Sequence, residues 1–199
     1  GTIDLLSEQF LQSLKSDKGT IGVKLSGGAD TALLLHLLAK EISERKLKFS
    51  ILPYTFNDKP DRFIVAQNII HEVAKTFPKV KFEKHQYGEI SLPYRGVFDK
   101  WALKLTRHHD IVFFTNGVNL PAPEEAITIN NIPEYSPFKD VDKRFTAQVY
   151  EDLFLLETLF PLTRSCLGSA EVTDYHEKPC KICYWCEEKY WAFGQYDEV

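Results

Sequence analysis

Two stretches of this 199-residue chain carry residue types that do chemistry. The first is Ser26-Gly27-Gly28-Ala29-Asp30-Thr31, between the apolar run Ile21–Leu25 and a leucine-rich segment. A helix that starts straight after a strand exposes its first N–H groups and the positive end of its dipole. Glycines there let an anion approach the backbone closely. Ser26 and Thr31 add hydroxyls. Asp30 adds a negative charge, which suits a magnesium ion shared between carboxylate and phosphate; it also suits an N-cap. Taken alone, the turn is better explained as a capped exit from a strand, because short glycine motifs are weak evidence. The spacing excludes two familiar phosphate sites. There is no G-x-x-x-x-G-K-[ST] and no G-x-G-x-x-G here. The second stretch is Cys180-x2-Cys183-x2-Cys186, with Cys166 upstream. All four cysteines lie in the C-terminal part of the chain, whereas disulfide scaffolds spread theirs. Two-residue gaps let thiolates converge on one ion. Four thiolates suit a closed, structural, tetrahedral zinc site. An iron–sulfur cluster, disulfides and inert thiols are the alternatives. A complete set of four sulfurs leaves nearby His176 no role.

The elements that must position these groups follow from hydrophobic periodicity. Helices are expected over 4–15, 30–45, 61–77, 97–108, 141–159 and 184–196. Strands are expected over 20–25, 47–56, 80–87 and 111–114. Strands alternating with helices imply a parallel sheet covered on both faces, a three-layer α/β/α class. The stretch 116–140 holds Pro121, Pro123, Pro133 and Pro137 and reads as a long functional loop. The expected organisation is an α/β domain over 1–140 and a helical, cysteine-bearing C-terminal region over 141–199.

Apolar residues make up 44% of the chain, enough for a real core, and the formal net charge is −4. A mildly acidic chain is a poor candidate for non-specific nucleic-acid binding. No apolar run reaches membrane-spanning length, and the first residues lack a signal-peptide pattern. The expectation is a soluble cytoplasmic protein with no membrane partner.

The strand, S-G-G-x-D-[ST] turn and helix resemble the PP-loop of the N-type ATP pyrophosphatases, whose fold is adenine nucleotide alpha hydrolase-like and Rossmann-like. Thr31 stands where the usual residue is Ser. Together with the cysteines, the chain resembles the 7-cyano-7-deazaguanine synthase (QueC) family. Pro137-Phe138-Lys139-Asp140-Val141-Asp142-Lys143 looks like that family's segment ending in a lysine before a helix. Leu162-Thr163-Arg164-Ser165-Cys166 looks like its T-x-S-C. Lys189 stands at the position of the family's arginine after the third clustered cysteine, and Phe193 falls in the apolar end of that helix.

The resemblance implies an ATP-dependent ligase of queuosine-precursor synthesis. Such an enzyme adenylates a 7-carboxy-7-deazaguanine, releases pyrophosphate, lets ammonia displace AMP, and uses a second ATP to make the nitrile. It implies ATP, Mg2+ and Zn2+ as cofactors, ammonia and a 7-deazapurine as small-molecule partners, and a homodimer. Asp30, Lys143 and Lys189 would be the catalytic residues, the two lysines acting as cations near the phosphates, with Arg164 a further candidate. Leu25, Ser26, Gly27, Gly28, Asp30, Thr31, Tyr54, Asn116 and Gly117 would bind ATP. Cys166, Cys180, Cys183 and Cys186 would hold zinc. Two segments depart from the family. Phe56-Asn57-Asp58-Lys59-Pro60-Asp61 replaces G-Q-x-H, and the loop from Thr115 to Glu125 replaces the substrate-reading Y-P-D-C-R. Glu124 or Glu125 would take the role of the purine-recognising acid. Two other readings stay open: a PP-loop enzyme acting on another carboxylate or a tRNA base, and a nucleotide-binding module that does not catalyse.

Overall fold

The computed structural model describes residues 5–57, 61–89, 103–120, 132–175 and 177–198. Five parallel strands form one sheet in the order β3-β2-β1-β4-β5. They are β1 (Lys18–Lys24), β2 (Lys48–Asn57), β3 (Gln86–Glu89), β4 (Ile111–Thr115) and β5 (Glu134–Tyr135). The helices are α1 (Glu8–Ser13), α2 (Ala29–Glu44), α3 (Arg62–Thr76), α4 (103–108), α5 (Lys143–Asp152), α6 (Ala170–Thr173) and α7 (Tyr184–Phe193).

The two faces of the sheet sort by residue parity, as a period of two requires. Ile21 and Val23 of β1, Phe49 and Ile51 of β2 and Phe113 of β4 share one core with α2 and α3. Leu52, Tyr54 and Phe56 of β2 and Phe114 of β4 form the second core with Leu105 of α4. Helices on both faces make the three-layer α/β/α class expected from the sequence. The C-terminal elements join the first core: Tyr150, Leu155, Leu159 and Phe160 are all buried in it.

The strand order reverses between β1 and β4. In open α/β sheets, ligands bind at that switch point, beyond the carboxyl ends of the strands. The turn after β1 (25–28) and the segment Asn116–Gly117 after β4 both lie there.

Several expected elements differ in extent. α1 begins at Glu8, because Ser7 caps it through Oγ accepting from the Phe10 N–H at 3.1 Å. The expected strand over 80–87 pairs with β2 only through an isolated bridge at Phe82 and then over Gln86–Glu89. The expected helix over 141–159 stops at Asp152. Phe154 turns left-handed at φ 57°, which brings Leu155 and Leu159 into the core. α7 stops at Phe193, where Gly194 takes the left-handed C′ conformation that glycine favours. β5, inside the expected loop, is an addition. The expected helix start at 97 and the loop tip over 121–131 lie outside the described residues.

Candidate active site

Leu25 ends its strand by donating its N–H to the Tyr54 carbonyl at 2.9 Å. The chain then folds into a tight turn held by its own hydroxyls. The Ser26 N–H donates to Thr31 Oγ1 at 3.2 Å, and the Gly28 N–H to Ser26 Oγ at 3.3 Å. Thr31 Oγ1 in turn donates to the Gly28 carbonyl at 3.3 Å. Gly27 sits at φ +88°, a conformation that L side chains rarely adopt, and a Cβ there would lie 3.0 Å from Val65. Gly117 matters for another reason: a Cβ on it would meet the Thr31 N at 3.0 Å. The segment after β4 therefore packs its backbone directly against the start of α2. Gly28 is the N-cap of α2 and offers no side-chain cap. Asp30, in the first turn, is not that cap, which removes the structural role the sequence left open for it.

Asp30 instead faces a buried lysine. Lys143, the first residue of α5, places its Nζ 2.9 Å from Asp30 Oδ2 and 2.6 Å from Glu188 Oε1 of α7. The lysine side chain is 4% exposed. Burial raises the Asp30 pKa; the adjacent ammonium opposes this, and the Glu188 charge adds to it. Burial pulls the other way on Lys143, but Asp30 and Glu188 together hold it above its ordinary value. Two carboxylates thus share one ammonium, with the fully buried Thr146 beside Asp30. Tyr150 ties α5 to the turn by donating its hydroxyl to the Ala29 carbonyl at 2.6 Å.

Lys189, the second lysine expected near the phosphates, has different partners from Lys143. It is wholly buried, with Nζ 2.6 Å from Asp197 Oδ1 and 2.9 Å from Thr163 Oγ1. Burial pulls its pKa down, and Asp197 offsets part of that. Asp197 also accepts the N–H groups of Ser165 and Cys166 at 2.9 Å. One residue upstream, the Arg164 N–H donates to the Gly27 carbonyl at 2.8 Å. Lys189 therefore organises the segment that buttresses the turn and has no open face toward it.

Tyr54 and Asn116 are also engaged within the protein. The Tyr54 ring is buried in the second core, edge-on to Phe114, and only its carbonyl serves the turn. Asn116 spends its amide on Glu134 at 2.6 Å and its Oδ1 on Val118 N–H and Ser136 Oγ, both at 3.0 Å. Both residues shape the site from behind. Glu124 and Glu125 lie outside the described residues, as does His176.

The structure adds residues that the sequence reading missed. Arg62, at the start of α3, donates to the Ser26 carbonyl at 2.9 Å. Arg62, Arg164 and Lys178 line a cleft beside Ser26, together with Cys166 and Asp197. The position of Arg62 just beyond the β2 loop was the one available signal for it. Glu188 and Asp197 carried none, since their partners are distant in sequence. On the other flank, Thr55 donates to the Leu25 carbonyl at 2.7 Å, so His85 Nε2, also 2.7 Å away, must donate to the Thr55 hydroxyl. Burial pushes the His85 pKa down to about 4, which keeps the ring neutral.

The four cysteines converge. Their Sγ atoms all lie within 4.8 Å of one another. Zinc–sulfur bonds of about 2.3 Å in a tetrahedron separate the sulfurs by roughly 3.8 Å, so the donor set fits one ion. Backbone N–H groups of Gly168 and Cys180 point at Cys166 Sγ, and that of Cys183 at Cys180 Sγ. Burial acts to raise the Cys180 thiol, but the Ile182 and Cys183 N–H groups bring it down to about 7. The four thiolates would fill a tetrahedral ion's coordination shell, which gives such a metal a structural role.

No family model matches the sequence, and no curated protein matches it. Solved structures do. The Candida glabrata FMN adenylyltransferase, in complex with FMN and the ATP analog AMPCPP, has a TM-score of 0.52 and 16% identity, over 98% of this chain and 71% of that one. The U34-tRNA thiolase NcsA from Methanococcus maripaludis, with its 4Fe-4S cluster, has a TM-score of 0.51 and 12% identity, over 93% of this chain and 66% of that one. PH1313 from Pyrococcus horikoshii Ot3 has a TM-score of 0.47 and 14% identity, over 68% of this chain and 40% of that one. The chain thus spans less than two thirds of the length of these last two. At such identities the likeness of the two structures with TM-scores above 0.5 is one of fold: a parallel, Rossmann-like α/β class. No described helix is long and apolar enough to cross a membrane.

Proposed function

We propose that the chain is an ATP-dependent carbon–nitrogen ligase that adenylates a carboxylate. One observation carries this reading: the S-G-G-x-D-T turn opens at the switch point of the sheet with Asp30 paired to a buried lysine. The carboxylate oxygen of the acceptor attacks the α-phosphorus of ATP, and pyrophosphate leaves. Ammonia then attacks the acyl carbon, AMP leaves and a proton is lost, giving the amide. Dehydration of the amide to a nitrile uses a second ATP. A carboxylate is a poor electrophile until its oxygen becomes part of a leaving group, so the protein need only position reactants and neutralise phosphate charge. Ser26, Gly27, Gly28 and Thr31 cradle the pyrophosphate, Asp30 faces its Mg2+, and Arg62 and Arg164 supply the positive charge that Lys189 cannot.

The acceptor we favour is a 7-carboxy-7-deazaguanine, on the resemblance of the turn, the Lys143 segment and the cysteines. A second reading, another carboxylate activated by the same chemistry, is favoured by the two replaced segments, at 56–61 and 115–125. The acidic net charge of −4 speaks against a tRNA substrate. We assign zinc to Cys166, Cys180, Cys183 and Cys186, because one ion draws the sulfurs close whereas a four-iron cluster spreads them over separate irons. Trp185 and Trp191, 41% and 48% exposed beside the cysteines, are proposed as part of a homodimer face. A cytoplasmic location is proposed with them.

The test is an assay of AMP and pyrophosphate with Mg·ATP, ammonium and a panel of carboxylates. AMP formed only with the 7-carboxy-7-deazaguanine supports the first acceptor, and AMP formed with another carboxylate selects the second reading. Bound ATP with no AMP under any acceptor leaves a nucleotide-binding module.

A further inference from the structure

Glu188 belongs to none of the motifs that the sequence singles out, yet it is drawn into the nucleotide end of the sheet. It lies two residues beyond Cys186, on the helix that the cysteine cluster anchors. Its side chain is 10% exposed. Oε1 sits 2.6 Å from Lys143 Nζ, and Oε2 accepts from the Tyr184 hydroxyl at 3.2 Å. Lys143 in turn sits 2.9 Å from Asp30 Oδ2. Asp30, Lys143 and Glu188 thus bring two negative charges and one positive charge into a nearly closed space. A simple structural ion pair would need only one acid, and a surplus buried charge is costly. The surplus is useful if a divalent cation enters with the nucleotide. Glu188 also fixes where the ammonium stands, so it sets which face of Asp30 is covered and which stays open.

We propose that Glu188 is a positioning residue for the metal–nucleotide complex: it holds Lys143 against Asp30 and keeps the site with one negative charge in excess until the divalent cation arrives. This rests on the nucleotide reading of the turn at Ser26–Thr31. Removing the charge of Glu188 while keeping its shape has opposite effects on the two components. The divalent cation binds more weakly, because one attractive charge is gone. The metal-free nucleotide, itself an anion, binds more tightly, because one repulsive charge is gone. A residue that merely supported the fold would weaken both.

The experiment uses the full chain with its cysteine metal in place, and Glu188→Gln, which keeps a carbonyl oxygen for Lys143. AMPCPP binding is measured by calorimetry without divalent cation, and Mn2+ binding to the AMPCPP complex by electron paramagnetic resonance. The expected result for Glu188→Gln is Mn2+ affinity lowered about tenfold, with metal-free AMPCPP affinity unchanged or raised. Glu188→Ala, which also frees Lys143, should weaken Mn2+ further. Equal loss of both affinities in Glu188→Gln, or no change in either, overturns the assignment. A wild-type chain that binds AMPCPP in neither form overturns the nucleotide reading itself, and the assignment with it.

Discussion

Lys143 and Lys189 are both buried lysines, and the family resemblance implies that both stand near phosphates; their surroundings separate them. Lys143 opens α5 and meets two carboxylates, Asp30 and Glu188, which hold its pKa above the ordinary value against burial. Lys189 lies on α7 and meets one, Asp197, and burial wins, pulling its pKa down. One ammonium belongs to the open end of the sheet. The other is a pin that fastens the chain beyond Gly194 to the Thr163–Cys166 segment. In the sequence both stand beside charged neighbours, Asp142-Lys143-Arg144 and Glu187-Glu188-Lys189, so their partners in the fold decide what each does.

Substitutions at the two sites should therefore differ in kind. The largest effect is expected at the Lys143 site. Lys143→Met leaves Asp30 and Glu188 facing each other without a cation. Turnover should fall at least about 100-fold, as when an electrostatic group is removed from an active site, and unfolding free energy should drop by about 3–5 kcal/mol. Steady-state AMP release and urea melts read the two separately. An unimpaired Lys143→Met enzyme would erase the distinction between the lysines.

Lys189→Met is expected to cost stability of the same order, about 3–5 kcal/mol, because Asp197 stays buried without its cation. Turnover per folded molecule should change by less than about tenfold, within the reach of an indirect effect. A 100-fold loss of turnover in folded protein would return Lys189 to the phosphates. If the four cysteines hold the proposed metal, chelating it should act like Lys189→Met, since both would loosen α7 and metal binding contributes folding free energy. The chelated protein's melt should move to lower temperature, and an unchanged melt would sink the structural role of the site.

The smallest effect lies far from both lysines. Burial pushes the His36 pKa down to about 4, with Lys40 adding to it. Between pH 4 and about 6.5 the unfolded chain binds more protons at this residue than the folded chain does. Stability contributed by neutral His36 is thus complete above that window and falls as pH drops through it. His36→Leu should flatten the melting temperature over this range relative to wild type, and identical slopes would contradict the depressed value.

The periodic elements were legible because each is a local pattern. The run Ile21–Leu25 and the leucines of α2 read directly as strand and helix, and the alternation of such units implied the parallel sheet. The short or interrupted elements were not. β5 is two residues long, and it pairs Glu134 and Tyr135 with Phe114 and Thr115, partners far apart in the sequence. The end of α5 depends on a left-handed Phe154, for which the sequence offers no glycine. At the site, the turn and the four cysteines were readable because each set is close in sequence. The Asp30–Lys143–Glu188 cluster joins residues from three helices, and Asp197 reaches Lys189 only after the turn at Gly194. Such contacts are consequences of packing, which no local spacing encodes.

The most direct test of the central claim follows the fate of ATP labelled at the α-phosphate, incubated with Mg2+, ammonium and 7-carboxy-7-deazaguanine. The wild-type chain should convert it to AMP with stoichiometric pyrophosphate. Asp30→Ala should retain a native melt and lose about 1,000-fold in rate, the upper range for one electrostatic group. Labelled ADP in place of AMP, or AMP formed equally fast by Asp30→Ala, would contradict cleavage at the α–β bond in the turn after β1.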